Sequence, residues 1–208
     1  MMRFGITLIV SFLFFAFVNA QPFGHPAIKN ADEIVYYGLD FSNAKMIGTE
    51  GFSNPDDIKA RFFRAWNMVI VNESDKYDLK KAFKKDVIRR DFSVIDERNS
   101  LPDADELVIN SDYKISREDV EAIIKNYTGE YDSGVGLVFI IESFSKTGEI
   151  GKMWVTFFDI GSKEVLLTRR YSGEPGGFGL RNYWVRSVYN VINQVGKDYA
   201  EWLMDKKR

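Results

Sequence analysis

The stretch best suited to binding is a glycine-rich loop, Gly173–Asn182, in the C-terminal part of the chain. Glycines at the start of a helix can present backbone N–H groups to an anion, and Arg181 can add a bidentate contact. The loop lacks the Lys-Ser/Thr pair of a Walker loop and the spacing of a dinucleotide site, and Glu174 would repel a phosphate. The residues of this candidate ligand- or partner-binding site are Gly176, Gly177, Gly179, Arg181, Asn182 and Tyr183.

A purely structural role for the same loop is the alternative. The glycines would then supply the backbone angles of a sharp turn from a strand into a helix, with Asn182 as a possible helix cap. Arg181 would be held by Glu174 or by loop carbonyl groups. The two interpretations differ in exposure, because recognition requires Arg181 to point to solvent or a cleft, with the Tyr183 ring partly open beside it.

Acidic residues at strand ends offer a second kind of chemistry. Asp40, Glu142 and Asp159 each end an apolar segment, and a glycosidase needs only two carboxyl groups roughly 5 to 10 Å apart. Glu142 and Asp159 would stand at opposite ends of neighbouring antiparallel strands, roughly 20 Å apart. Asp40 and Glu142 come together only if their strands run parallel. A carboxylate-dependent hydrolase acting on glycans is therefore the alternative function, and acids that mark strand ends are the structural one.

The histidine and cysteine content of the chain excludes several classes of enzyme. The only histidine is His25, in a loose segment between Gly24 and Pro26, and the chain has no cysteine. Thiol catalysis and zinc bound by sulfur are excluded, and His25 lacks the partners of a triad or a metal site. We expect no catalytic residue, no metal and no cofactor. With 28 basic and 30 acidic residues, the chain also lacks the basic excess typical of nucleic-acid binding.

Aromatic residues are concentrated around the candidate loop, which raises the possibility of a sugar-stacking platform. Aromatic residues spaced along strands and helix faces more often belong to a core. Trp66 and Trp202 follow apolar stripes, and we interpret both as core residues. The residues for which both interpretations stay open are Trp154, Tyr171, Phe178, Tyr183 and Trp184.

The N-terminus has the pattern of a secretory signal peptide. A short positive segment ending at Arg3 precedes the uncharged, apolar run Phe4–Val18, and Ala20 stands before a cleavage point at Gln21. An uncleaved N-terminal anchor is the alternative, but an apolar run of about 15 residues is shorter than the roughly 20 that span a bilayer. No cysteine is available for lipid attachment. We expect a periplasmic or secreted bacterial protein that is not a lipoprotein and has no stable membrane insertion.

The mature chain reads as an extended lead-in over residues 21–32 and one domain over residues 33–208. Apolar spacing predicts strands, a helix behind the cap Asn54, another behind Ser116, and a long last helix whose face runs from Trp184 to Trp202. Three strands in succession, within residues 136–172, exclude a fully parallel sheet. We therefore predict an α+β fold in which a mixed, largely antiparallel sheet of about five strands, with a C-terminal three-strand meander, is packed by three main helices.

The order of elements in about the last seventy residues resembles that of α/β domains in bacterial envelope lipoproteins and assembly factors. The resemblance rests on a hairpin that reads Asp159–Leu166 (DIGSKEVL), followed by a glycine loop and a long helix. The N-terminal domain of the TolB translocation protein and the curli-secretion lipoprotein are the families concerned, and the chain is also similar to secreted envelope proteins of Bacteroidetes. The lipid-attachment cysteine of the lipoprotein members is missing. The resemblance implies an envelope protein without a catalytic role. Our leading hypothesis is a non-enzymatic envelope or periplasmic module that binds an envelope protein or a glycan ligand through residues 173–184 and the neighbouring meander.

Cleavage of the signal peptide is directly measurable. Because all three regions of the pattern are present, the protein purified from its native host should begin at Gln21 or at its cyclised form. Mass spectrometry of the intact protein measures this, and a chain in the membrane pellet that still carries Met1 would contradict it.

Overall fold

A computed structural model describes residues 26–203 of the chain, with side chains to residue 201. The predicted signal peptide, residues 21–25 of the predicted lead-in with His25, and the Trp202 side chain lie outside this description. Within it, all strands belong to one seven-stranded sheet. The strands are β1 (Glu33–Asp40), β2 (Lys45–Ile47), β3 (Val87–Arg90), β4 (Val108–Ile109), β5 (Val135–Ser145), β6 (Ile150–Asp159) and β7 (Val165–Gly173).

The strand β5 is the centre of the sheet. Five strands, in the order β3-β1-β5-β2-β4, are parallel to one another. β1 pairs with the first half of β5 and β2 with its end, while β6 runs antiparallel along the other edge and β7 follows antiparallel to β6. Every residue of β5 is buried, as is usual for a strand covered on both faces.

The predicted fold class is therefore wrong, because the sheet is mainly parallel and the fold is α/β. The C-terminal meander β5-β6-β7 is antiparallel as predicted. The error lies in the N-terminal half, where helical segments after β2, β3 and β4 return the chain to the same end of the sheet and so produce parallel pairing. β2 follows β1 without a helix and continues in the same direction along β5. β2 and β4 have only three and two residues, too few to show a period.

Helices cover both faces of the sheet. They are α1 (Pro26–Asn30), α2 (Pro55–Asp57), α3 (Phe63–Asn72), α4 (Leu79–Phe83), α5 (Ser93–Arg98), α6 (Arg117–Lys125) and α7 (Leu180–Leu203), and Thr49–Gly51 forms a 3₁₀ turn. A π-helical turn, Ile58–Phe62, joins α2 to α3 in one continuous helix. α3, α4 and α7 pack on one face against the larger part of the core, and α5 and α6 pack on the other.

The predicted helix starts are confirmed at two places. The Asn54 side chain accepts the backbone N–H of Asp57 at 3.1 Å, and Pro55 follows as the first helical residue. At Ser116 the capping box is complete, since Asp119 donates its backbone N–H to the hydroxyl and its carboxylate accepts the Ser116 N–H. The Ser116 backbone N–H, and after it the Ser116 side chain, lower the pKa of the Asp119 carboxyl.

The lead-in is helical in its described part, where an extended segment was predicted. Pro26 fits the first turn of α1 because its missing N–H is not needed there. Ile28 is buried in the main core. The buried ammonium of Lys85 donates to the carbonyl groups of Ile28 and Ala31, and burial lowers its pKa. This lysine fastens the start of the described chain to the segment before β3.

The last helix packs as its spacing predicts. Val188, Val191, Ile192 and Val195 are buried against the sheet, whereas Lys197 is exposed. Substituting alanine for a buried isoleucine removes apolar contacts and leaves a cavity. Ile192→Ala should therefore lower the free energy of unfolding by about 2–5 kcal/mol, as measured by urea denaturation.

Lys197→Ala serves as the matched control on the same helix, because its side chain makes no buried contact and its loss should change stability by less than about 0.5 kcal/mol. Equal, small effects of both substitutions would contradict the packing of α7 described here.

Candidate functional site

The glycine loop between β7 and α7 is held at its base by three hydrogen bonds. The indole N–H of the buried Trp66, on α3, donates to the carbonyl of Arg181 at 3.1 Å. The Gly176 N–H donates to the Tyr183 carbonyl at 2.9 Å, and the Asn190 amide donates to the Glu174 carbonyl at 2.8 Å. The loop is therefore anchored to α3 and α7 on both sides of its tip.

Two of the three site glycines are required by the backbone. Gly177 and Gly179 have φ angles of +107° and +79°, which side-chain-bearing residues rarely adopt. A Cβ on Gly176 would meet only the Arg186 side chain at an ordinary 3.7 Å. Only Gly176 is therefore a glycine that the backbone conformation does not require. The case for a binding site thus depends on the side chains around the loop.

Arg181 is exposed, as recognition requires. Its guanidinium Nε donates to the Asn182 side-chain oxygen at 3.1 Å, and no hydrogen bond of the described residues ties it to Glu174 or to a loop carbonyl. Asn182 is also exposed, and its oxygen is used by Arg181. The clamp predicted by the structural interpretation is absent from the described part of the chain.

Tyr183 is partly open but turns to a different neighbour. Its hydroxyl lies 3.2 Å from the Glu149 carboxylate and 3.4 Å from the Lys146 ammonium, which also sits over its ring at 4.9 Å. The hydrogen bond with Tyr183 raises the pKa of Lys146. Tyr183 therefore joins the start of α7 to the turn between β5 and β6, and it does not line the cleft beside Arg181.

A surface cleft of about 590 Å³ lies beside the loop. Gly176, Gly177, Arg181 and Asn182 line it, whereas Gly179 and Tyr183 do not. Residues other than the six predicted site residues complete the lining. They come from the end of α3, the loop tip and α7, and are Glu73, Lys76, Glu174, Pro175, Phe178, Arg186 and Asn190.

Phe178 is the most unusual residue of this cleft, since 95% of its surface is exposed. It stands at the loop tip between Gly177 and Gly179. Phe178 is flanked by glycines and belongs to no apolar stripe of a helix or strand. This sequence feature distinguishes it from the aromatic residues of the core. Large exposed apolar side chains are informative when they lie beside a cleft with convergent polar groups.

The other aromatic residues near the loop do not form a platform. Trp184 is buried, stacked on Phe144 with ring centroids 5.0 Å apart. Trp154 packs on the opposite face of the sheet, against the smaller part of the core. The core interpretation is confirmed for Trp66 and Trp184, both essentially fully buried.

Asp40 and Glu142 are brought closer than Glu142 and Asp159. β1 runs parallel to β5 and pairs Asp40 with Ile140, two residues before Glu142. Asp159 lies opposite Val135 at the other end of the β5-β6 pair, as predicted. Its carboxylate accepts the Ser162 N–H and hydroxyl in the turn, and that backbone bond lowers its pKa.

Asp40 is fully buried and fully used. One carboxylate oxygen accepts Arg98 Nε at 2.9 Å and the Tyr127 hydroxyl at 2.6 Å, and the other accepts the Ser42 N–H at 2.8 Å. Burial first, and then the Asp40 charge, raise the pKa of Tyr127 well above its usual value. This carboxylate joins β1 to α5 and to the segment after α6.

Glu142 is also fully buried, and it forms a bidentate pair with Arg170 on β7, at 2.8 and 2.6 Å. The hydrogen bond from this pair raises the pKa of Arg170. Each of the two carboxylates is thus occupied by its own arginine and lies away from solvent. This arrangement is that of structural ion pairs, since a hydrolase needs two carboxyl groups that face a substrate across one cleft.

Two further properties concern metals and membranes. Within residues 26–203, no three or more histidine, cysteine, aspartate or glutamate side chains are placed so that they could hold a metal ion. In the same range, no helix combines the length and apolar character needed to cross a bilayer.

Comparisons with known proteins identify no family. No family model matches the chain, and a search of curated proteins finds no match. Among solved structures, the chain is similar to the crystal structure of lipoprotein GNA1162 from Neisseria meningitidis, at 12% identity and a TM-score of 0.32, over 79% of this chain and 96% of that one. A likeness at that score carries no argument about function.

The buried ion pairs should be structural. The Arg98 side chain is only 11% exposed, so Asp40→Asn leaves its charge largely buried and should lower the free energy of unfolding by about 3–5 kcal/mol. The Arg170 side chain is 34% exposed, so Glu142→Gln should cost less, about 1–3 kcal/mol, mainly for the lost hydrogen bonds of the buried carboxylate. Chemical denaturation measures this loss. The exposed pair of Glu121 with Arg117 provides the control, and Glu121→Gln should cost at most about 1 kcal/mol. Stable Asp40 and Glu142 variants that lose an activity on glycans would reverse the assignment in favour of a hydrolase.

Proposed function

We propose that the chain is a non-enzymatic binding module of the bacterial cell envelope, which captures an envelope protein or ligand through the tip of the Gly173–Asn182 loop. The observation that carries the proposal is Phe178, an almost fully exposed ring at the tip of an anchored loop, beside the exposed Arg181. The envelope location rests on the signal-peptide pattern of the first twenty residues.

Energetics favours a partner that covers this tip. Burying a phenylalanine side chain contributes about 1.5–3 kcal/mol, and the chain itself does not use that contribution at Phe178. The loop is already fixed by its bonds to Trp66 and Asn190, so binding costs little additional ordering. Aromatic and arginine side chains are also the types that are enriched in the centres of protein interfaces.

The alternative, a carboxylate-dependent hydrolase, has less support. The paired carboxylates of Asp40 and Glu142 are buried and bound by arginines, and the acids that line the cleft include Glu73, which pairs with Lys76 at 3.2 Å. The cleft at the loop therefore offers contacts for binding, and its acidic residues are not arranged as a general acid and a general base.

Photo-cross-linking in the native host tests the proposal. A photoreactive phenylalanine at position 178 should yield a discrete adduct, because the ring contacts the partner directly. Adding Arg181→Ala should reduce that adduct at least about fivefold, while Tm changes by no more than about 1–2 °C, as for most surface substitutions.

Two matched variants control for chance labelling. Val87 is partly exposed on the edge strand β3, so the same probe there should give no discrete adduct. Lys114→Ala removes an exposed cation away from the loop and should leave the adduct unchanged. Equal labelling from positions 87 and 178, or loss of folding in Arg181→Ala, would favour the purely structural interpretation of the loop.

A further inference from the structure

The surface around Phe178 continues beyond the loop onto α3. A second cleft, lined by Arg61, Phe62, Arg64, Met68 and Arg181 among others, shares Arg181 with the first cleft. We call the lining of these two clefts the arginine face. Met68 is exposed and Phe62 partly so, so exposed apolar groups extend from the loop tip along the outer side of α3.

The arginine face carries an excess of positive charge. Five cations, from four arginines and one lysine, line the two clefts against two acids, Glu73 and Glu174. Arg64, Arg181 and Arg186 form no ion pair among the described residues. The chain as a whole has a formal net charge of −2, so the charge of this surface is opposite in sign to the net charge of the chain. An acidic partner with an apolar contact complements it.

The chain carries such a segment itself, in the loop between α5 and β4. Leu101 is 66% exposed, and Asp103, Asp105 and Glu106 follow it with exposed side chains. None of these three acids forms an ion pair with another described residue. We call Leu101–Glu106 the acidic loop. It does not line either cleft of the arginine face.

Exposed large apolar side chains coincide with these two surfaces. The described residues contain four of them, and three lie here: Phe178 and Met68 on the arginine face, and Leu101 on the acidic loop. The two surfaces are therefore complementary both in charge and in their apolar contacts, with unpaired arginines on one and unpaired carboxylates on the other.

We propose that the arginine face binds the acidic loop of a second copy of this chain. The inference rests on the proposed binding function of the Gly173–Asn182 loop and names its occupant. Because the two surfaces differ, the contact is heterologous, and successive copies join head to tail into a ring or a filament. An anionic lipid surface would also attract the arginines, but it would leave Leu101 and the acidic loop unused.

Charge-reversal substitutions on the two surfaces test the proposal. Sedimentation of the exported protein should show association that weakens as salt increases. Arg181→Glu and Asp105→Arg should each weaken it at least about tenfold, because like charges then meet across the contact. The two substitutions together should restore association to within about threefold of the unchanged protein, since each new charge meets its opposite.

The controls separate this contact from nonspecific attraction. Lys114→Glu, an equal change of charge away from both surfaces, should leave association unchanged. Unchanged Tm in the two single variants shows that neither acts through folding. A protein that stays monomeric at several hundred micromolar, or a double variant no better than the single ones, overturns the inference.

Failure of the inference is distinguishable from failure of the binding function. If position 178 labels a different protein in the host, or if the purified protein binds vesicles of anionic phospholipid through Arg181, the second copy is the wrong occupant and the binding function stands. If position 178 yields no adduct and the protein stays monomeric, both proposals fall. An adduct of twice the chain mass, mapped to Leu101–Glu106, supports both.

Discussion

The buried polar cluster at the end of β1 is the constraint from which the rest of the fold follows. The chain leaves the sheet between β1 and β2, where the backbone of Leu39 and Phe41 would lack partners. The Asn67 side chain, on α3, donates to the Leu39 carbonyl and accepts the Leu39 N–H. The Asn99 side chain also donates to the Leu39 carbonyl, and it accepts the Phe41 N–H. Buried backbone groups left unpaired would cost about 1–3 kcal/mol each. The cluster therefore removes a penalty that apolar packing alone cannot.

The same cluster connects the two helical layers to the candidate binding loop. Asp40 joins β1 to Arg98 and Tyr127 on the α5 and α6 side, while Asn67 joins it to α3. The residue before Asn67 is Trp66, whose indole N–H holds the carbonyl of Arg181 at the base of the loop. The position of the loop thus depends on contacts that lead from the end of β1 through α3 to Arg181, and these contacts hold the base of the exposed tip in place.

Local features of the fold were predictable from the sequence, and its strand order was not. The caps at Asn54 and Ser116, the C-terminal meander and the buried stripe of α7 depend on residues close together in the chain, so their spacing predicts them. The parallel sheet depends on β5 inserting beside β1 across about one hundred residues of sequence. A signal was nevertheless present, because continuous apolar runs in β1 and β5 are typical of strands buried on both faces.

In the candidate site, too, local features were predictable from the sequence and contacts between distant segments were not. Arg181 was predictable because a cation beside a glycine loop is a local pattern, and its exposure agrees with the recognition interpretation. Tyr183 was assigned to the cleft by proximity in sequence, but adjacent helical residues face different directions, and it contacts the β5-β6 turn instead. The contribution of α3 was invisible in sequence, since its residues precede the loop by more than one hundred positions.

Hydrogen–deuterium exchange of the purified protein at low and high concentration tests the central claim, that an anchored loop tip is covered by a second copy. At high concentration, amides in residues 174–182 and 101–106 should exchange more slowly, whereas those of β5 should be protected equally at both concentrations. Protection confined to other surfaces, or no dependence on concentration in either segment, would contradict the account.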